Sequence, residues 1–402
     1  MNNPKIRFKR YTDDWEQHKL GEVFKERTER ANGDEELLSV TIGNGVIRQA
    51  DSDKRNIASE DKSNYKIVRK GDVPYNSMRM WQGAVGNSEY DGIVSPAYTV
   101  LVPTAEASGK FFMELFKKET TLKIFQRWSQ GLTSDTWNLK YPILSSIEFY
   151  MPLPEEQKKI AEYFQRIDHF IILHQQKCEE IKTLKKYMLQ KMFPQNGMNI
   201  PEIRFDGFTD AWKQYNLGEL GTLKNGMNFS KEAMGIGFPF VNLQNIFGNN
   251  VIDIENLGKA QATASQLKDY NLIKGDVLFV RSSVKLEGVG EAALVPETLN
   301  NTTYSGFIIR FRDEFGLDNN FKRFIFSIKD VKKQIMSQAT DSANKNISQT
   351  VLSNLNIKFP SFSEQKAIGT FFSNLDHIIN LHQRKCDELQ NIKKFMLQNM
   401  FV

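Results

Sequence analysis

Leu173–Phe193 reads LHQQKCEEIKTLKKYMLQKMF, and Leu381–Phe401 reads LHQRKCDELQNIKKFMLQNMF. Extended back to Gln157 and Gln365 at an offset of 208, the two stretches are identical at 20 of 37 positions. Within the first, Ile160, Phe164, Ile167, Ile171, His174, Cys178, Ile181, Lys185, Met188 and Met192 recur at alternating steps of four and three. Ile368, Phe372, Leu375, Ile379, His382, Cys386, Leu389, Lys393, Met396 and Met400 repeat the pattern. A mean period of 3.5 residues belongs to a helix that packs lengthwise on another helix. Pro152 and Pro154 precede the first segment and Pro194 follows it, as expected at helix ends. At 1.5 Å per residue each helix is a rod of roughly 55 Å. Neither buries its seam alone, and the matching seam is the other copy, so the spacing predicts an antiparallel or similarly paired coiled coil.

Outward from these helices the duplication continues. PKIRFKRYTDDWEQHKLGEV from Pro4 is echoed by PEIRFDGFTDAWKQYNLGEL from Pro201, at an offset of 197. KGDV recurs at Lys70–Val73 and Lys274–Val277, and ILSSI from Ile143 answers VLSNL from Val351. The two offsets differ by 11 residues, so the second half carries about that much extra loop. Each half reads as a variable head followed by a near-identical tail, with FPQNGMNIP as the linker. The expected division is a head over 1–153, a helical spacer over 154–196, a second head over 197–360 and a second spacer over 361–402. The fold class is α+β: two mixed α/β heads, two long helices and an internal pseudo-twofold repeat. Strand-like runs are GIVSPAYTVLV from Gly92, DVLFVRSS from Asp276 and YSGFIIRFR from Tyr304. Late in each head come the helical candidates KFFMELFKKETTLKIFQRW from Lys110 and DNNFKRFIFSIKDVKKQIM from Asp318.

Composition is that of an ordinary globular protein: 402 residues, 40% apolar, 25% charged, net charge +5. No apolar run is long enough to span a membrane, and the first residues lack the apolar core of a secretory signal. Two cysteines at equivalent repeat positions give no disulfide framework, so a reducing, cytoplasmic setting is expected. The mild positive charge permits a polyanionic partner without arguing for one. Walker A, HExxH and GxSxG patterns are missing, and no Pro-Pro pair exists to make an NPPY-type methylation motif. GVGEAA from Gly288 is followed too soon by Pro296 for a dinucleotide helix and reads as a tight turn.

His169, His174 and Cys178, with His377, His382 and Cys386, form an H-x4-H-x3-C pattern in each tail. Either a His2Cys2 zinc set or semi-polar residues fixing the register of the coil accounts for it, and the register reading is the one adopted, with no metal assigned. For nucleic-acid contact the candidates are polar and aromatic residues of matching head loops. The first head offers Asn76, Ser77, Arg79, Trp81 and Gln82, then Gln130, Thr133, Ser134 and Asn138. The second offers Arg281, Ser282 and Lys285, then Gln338, Ser342, Asn344, Lys345 and Asn346. Arginine and lysine suit guanine edges and phosphates, and asparagine and glutamine suit adenine edges. Tyr163, Phe170, Leu173, Leu184 and Leu189 lie outside the seam, as a widened core or as a docking surface.

Two variable heads alternating with two near-identical helices, each entered through PLPEEQKKIAEYFQRID or PSFSEQKAIGTFFSNLD, and each head opened by a motif of the type IRFxxFTDxW (IRFKRYTDDW and IRFDGFTDAW), form a pattern that resembles the specificity (HsdS) subunits of type I restriction-modification systems. The resemblance covers essentially the whole chain. It departs at Ser361 and Ser363, where the first copy has Leu153 and Glu155. It implies two target recognition domains, each reading one half of a split site on double-stranded DNA, and a helical spacer that sets their separation. Because the heads differ, the implied target is asymmetric. It also implies partners: two methyltransferase (HsdM-type) subunits carrying S-adenosylmethionine, and restriction (HsdR-type) subunits using ATP and Mg. The chain itself would be non-catalytic, with no cofactor and no membrane partner. A structural adapter binding only proteins is the alternative.

Overall fold

The computed structural model describes residues 3–31, 35–52, 61–195, 197–340 and 345–402. The repeated stretches are two continuous 38-residue helices, Pro154–Lys191 and Phe362–Asn399. Proline at the first position of the former is favoured because its missing N–H would lack a helical acceptor there anyway. Every seam position of both helices is buried or half-buried. The chain forms two compact units, and each takes a part of both helices: Met1–Gln175 with Gln383–Val402, and Gln176–His382.

In the first unit the Cys386 thiol lies 3.7 Å from the Ile171 carbonyl oxygen, and Lys393 Nζ lies 2.7 Å from Asp168. In the second, the Cys178 thiol lies 3.9 Å from the Ile379 carbonyl oxygen, and Lys185 pairs with Asp376. In both, advancing along one helix means retreating along the other, so the pairing is antiparallel. His174 and His382 are half-buried at their seam positions. Among the described residues no cluster of three or more His, Cys, Asp or Glu could hold a metal ion.

The first unit is built around a three-stranded antiparallel sheet, Phe24–Glu26, Tyr98–Pro103 and Val73–Asn76 in spatial order. Its core joins Trp15, Phe111, Phe112, Phe116 and Phe125 to Ile160 and Phe164 of the first long helix and to Met400 and Phe401. Phe401 stacks on Phe164 at 5.7 Å and lies 5.2 Å from Phe111. Lys118 Nζ donates to the backbone oxygens of Phe401 and Val402, both at 2.9 Å, so the end of the second helix is gripped by main-chain polar contacts as well.

The second unit repeats this plan on a four-stranded antiparallel sheet: Gly221–Asn225, Ile308–Asp313, Val277–Val280, Ala292–Leu294. Phe193 stands where the first unit has Phe401, 5.7 Å from Phe321 and 6.0 Å from Phe372. A second cluster, including Val241, Ile246, Leu278 and Tyr304, extends this head.

The repeated motifs are the joints between head and helix. Arg7 of the first IRF forks onto Glu156 with two 2.7 Å hydrogen bonds, and Arg204 forks onto Glu364 with two more. Both carboxylates are almost completely buried in the first turn of a long helix, where the helix dipole favours negative charge. The neighbouring glutamines act alike. Gln157 donates to the carbonyls of Pro152 and Glu106 and accepts from the Ser108 N–H. Gln365 donates to Pro360 and accepts from the Asp318 N–H.

Each expected late helix is two helices. Gly109–Lys117 and Glu119–Trp128 meet at Lys118, and Asn319–Ile325 and Lys329–Gln338 are separated at 326–328. Lys118 and Ile328 adopt extended backbone angles at matching places. The break turns Phe125 onto Phe116 at 5.3 Å, and in the second unit it frees Phe326 to pack on Phe279 at 5.0 Å. The strand-like runs are likewise divided: Pro96 separates Gly92–Val94 from Tyr98–Pro103, and Gly306 separates Thr303–Tyr304 from Ile308–Asp313.

Candidate nucleic-acid interface

The two KGDV copies aim the strands that carry the candidate loops. Gly71 and Gly275 turn with φ of +95° and +93°, a left-handed conformation that glycine adopts without strain. The aspartate that follows is buried and held by an arginine fork: Arg27 on Asp72 at 2.7 and 3.0 Å, Arg312 on Asp276 at 2.8 and 2.7 Å. These hydrogen bonds hold both guanidiniums above their ordinary pKa, against the opposing effect of burial. Strands Val73–Asn76 and Val277–Val280 start from these anchors and run into the loops at Ser77 and Arg281.

In each unit the loop after this strand meets the segment after the second short helix. Leu139 N–H donates to the Ser77 carbonyl at 2.9 Å, and Ile347 N–H donates to the Arg281 carbonyl at 3.0 Å. The first unit therefore brings Asn76, Arg79, Trp81 and Gln82 beside Gln130 and Asn138, with Trp81 and Trp137 packed edge-to-face at 5.2 Å. Gln130 and Asn138 exchange backbone hydrogen bonds of 3.0 and 2.8 Å, closing a loop that carries exposed Thr133 and Ser134. A Thr133–Thr136 turn braces that loop. In the second unit Ser282–Ser283 pairs with Lys345–Asn346 as a short antiparallel ladder. Lys285 is exposed, while Arg281 is half-buried and donates to the Gly306 carbonyl at 3.3 Å. Gln338 is exposed at the end of its helix, and Ser342 and Asn344 lie outside the described residues.

Two candidates are less available than the sequence suggests. Ser77 is buried, with its hydroxyl 2.9 Å from that of Thr99. The Asn138 side-chain oxygen is shielded from solvent without a hydrogen-bond partner. GVGEAA is a turn at Gly290 (φ +73°) leading into strand Ala292–Leu294, where a Cβ would come within 2.5 Å of Ile335. Outside the seam, Tyr163 and Leu189 pack against the cores, whereas Phe170, Leu173 and Leu184 are exposed. Glu114, which is buried, and Arg323, which is half-buried, meet the long helices from the heads and carry no signal in the sequence.

The profile of the type I restriction modification DNA specificity domain matches residues 12–183 and again 209–391. The MjaX specificity subunit of Methanocaldococcus jannaschii is 24% identical over 50% of this chain and 48% of its own length. The MjaVIII subunit of the same organism is 21% identical over 82% of this chain and 77% of its own. The EcoKI specificity subunit of Escherichia coli K12 is 25% identical over 58% of this chain and 51% of its own. The chain thus spans about half the length of two of these relatives. In fold it is similar to the S subunit of a type I restriction-modification system from M. genitalium (TM-score 0.60, 15% identity, 100% and 99% of the two chains). It is also similar to the HsdS subunit of Thermoanaerobacter tengcongensis (TM-score 0.50, 18% identity, 96% of each chain). No helix among the described residues is long and apolar enough to cross a membrane.

Proposed function

The chain belongs to the type I restriction modification DNA specificity domain family, and from that premise we propose that it is the sequence address of a cytoplasmic DNA-modifying complex. Each unit reads one half of an asymmetric, bipartite site on double-stranded DNA. The reading groups are the loops around Arg79, Trp81, Gln82, Gln130, Thr133 and Ser134 in one unit. In the other they are the loops around Ser282, Lys285, Gln338, Lys345 and Asn346. Phosphate contacts by lysine and arginine position the chain, and base-edge contacts by arginine, glutamine and asparagine specify sequence. The paired helices set the number of unread base pairs between the half-sites. Two methyltransferase subunits with S-adenosylmethionine, and restriction subunits with ATP and Mg, supply the chemistry, and this chain supplies none.

The observation that carries the reading is a pair of unlike loop sets on a like framework: in each unit the same two segments meet through the same backbone hydrogen bond, yet their side chains differ. A repeated framework with divergent tips suits two different half-site sequences. Methylated-site sequencing of cells expressing this chain with its methyltransferase tests it. The expected result is modified adenine in a split, asymmetric motif. Gln130→Ala relaxes one half and Lys345→Ala weakens use of the other. A palindromic motif, or both halves changing together, overturns the assignment. If the adapter reading is right, the complex shows no sequence-dependent binding to duplex DNA.

A further inference from the structure

We infer that a lysine-rimmed groove in the second unit docks an acidic amphipathic helix of a protein partner. The groove, about 1020 Å³, lies between the Lys182–Gln190 stretch of the first long helix and helix Lys329–Gln338. Each wall is nine or ten residues long, roughly 13–15 Å, which accommodates between two and three turns of a helix. Lys186, Lys329, Lys332 and Lys333 form its rim, and among the described residues none of the four side chains makes a hydrogen bond or ion pair. The one acid in the lining, Asp376, is already engaged by Lys185 and Arg323. Of the other rim cations, Lys182 is paired with Glu179 at 2.7 Å. The floor is apolar, made by Leu189, Ile328 and Met336.

Charge complementarity requires an anionic occupant, and the floor requires one with an apolar side. A nucleic-acid backbone would satisfy the lysines but has no apolar face to cover Leu189 and Met336. An amphipathic helix with a stripe of leucines and a flank of glutamates or aspartates satisfies both, in the helix-in-groove mode of recognition. The lysine rim is not repeated in the first unit. In the first unit's corresponding helix, Glu119–Trp128, the positions of Lys329 and Lys332 are held by Glu119 and Leu122, and Glu119 pairs with Lys123 at 2.7 Å. An occupant selected by these lysines therefore prefers the second unit to the first.

The test uses the full-length chain and a fluorescein-labelled synthetic peptide of 16 residues, with leucines at i, i+3, i+4 and i+7 spacing and glutamates elsewhere. A scrambled peptide of equal composition is the control. The expected result is saturable binding that weakens about tenfold in K329E/K332E/K333E. The neutral variant K329Q/K332Q/K333Q shows a smaller loss, and K123E in the first unit shows none. These lysines are exposed or half-buried, and circular dichroism checks that the variants fold. Equal binding of the scrambled peptide overturns the inference, as does indifference to the lysine variants. A 30-base-pair duplex that displaces the peptide, and binds the triple variant more weakly, overturns it too by making the groove a nucleic-acid site.

Discussion

The two helix crossings use the same pair of residues and opposite company. In the first unit, Lys393 bridges Asp168 at 2.7 Å and also meets Glu114, a head residue, at 3.3 Å. In the second, the equivalent Lys185 pairs with Asp376, but the head supplies Arg323, 3.1 Å from that aspartate, and Asn250, also at 3.1 Å. One crossing holds two carboxylates around one ammonium, and the other holds two cations around one carboxylate. The lysine–aspartate bridge is thus common to both copies while the head's contribution has reversed sign. A half-buried ion pair tolerates either kind of third partner provided the added charge finds its complement within the cluster.

Four measurements break or sharpen this comparison. The largest effect is expected at the terminal phenylalanines: Phe193→Ala and Phe401→Ala each remove a fully buried ring and should destabilise by about 3–5 kcal/mol in urea titrations. A loss below about 1 kcal/mol at either site would show that the two helix ends are not docked alike. Next come the buried forks. Glu156→Gln and Glu364→Gln each strand an arginine in a mostly buried setting, at a cost of about 3 kcal/mol. Unequal losses would mean that the additional acceptors, Asn3 on Arg7 at 3.2 Å and the Asp210 carbonyl on Arg204 at 2.7 Å, do not substitute equally for the lost carboxylate.

The aspartates should then separate the units. Asp376→Asn leaves both Lys185 and Arg323 without an anion and should cost about 2 kcal/mol, whereas Lys393 keeps Glu114 after Asp168→Asn, for about 1 kcal/mol. The reverse order would sink the account of the crossings. The smallest effect concerns pH. Burial pushes the Glu114 carboxyl up and Asp168 adds to this, against the opposing pull of Lys393 and Lys117. A carboxyl raised in the folded state favours folding when protonated. Its contribution is therefore weakest above the raised pKa and grows as pH falls through it toward the ordinary carboxylate value. The stability of the parent minus that of Glu114→Gln should rise as pH falls toward the ordinary carboxylate range, and no such trend should attach to Phe324, which holds the corresponding place in the second unit.

The paired helices were legible because a 3.5-residue period depends only on helix geometry and on one partner. Every residue so assigned lies at a buried or half-buried seam position. The repeated IRF and EQK motifs were visible as duplications, but their purpose, an arginine fork on a first-turn glutamate, joins residues some 150 positions apart and has no local signature. The helix breaks were hidden for another reason. Neither Lys118 nor Ile328 is a glycine or proline, and packing of Phe116 on Phe125 decides the bend. KGDV was legible as a turn, yet its arginine partners, Arg27 and Arg312, come from unrelated places in the two halves. Ser77 illustrates the remaining gap: whether a polar loop residue faces water depends on a neighbouring strand, here through Thr99.

The division of the chain has a consequence for its biosynthesis. The second unit is one uninterrupted span, Gln176–His382, while the first needs Gln383–Val402 to cover Phe111 and Phe164. On the ribosome, the part made first therefore waits, with an open aromatic cleft, until everything between has been translated. Arrested nascent chains should resist protease over the middle of the sequence before they do so at its start, an inversion of the usual vectorial order.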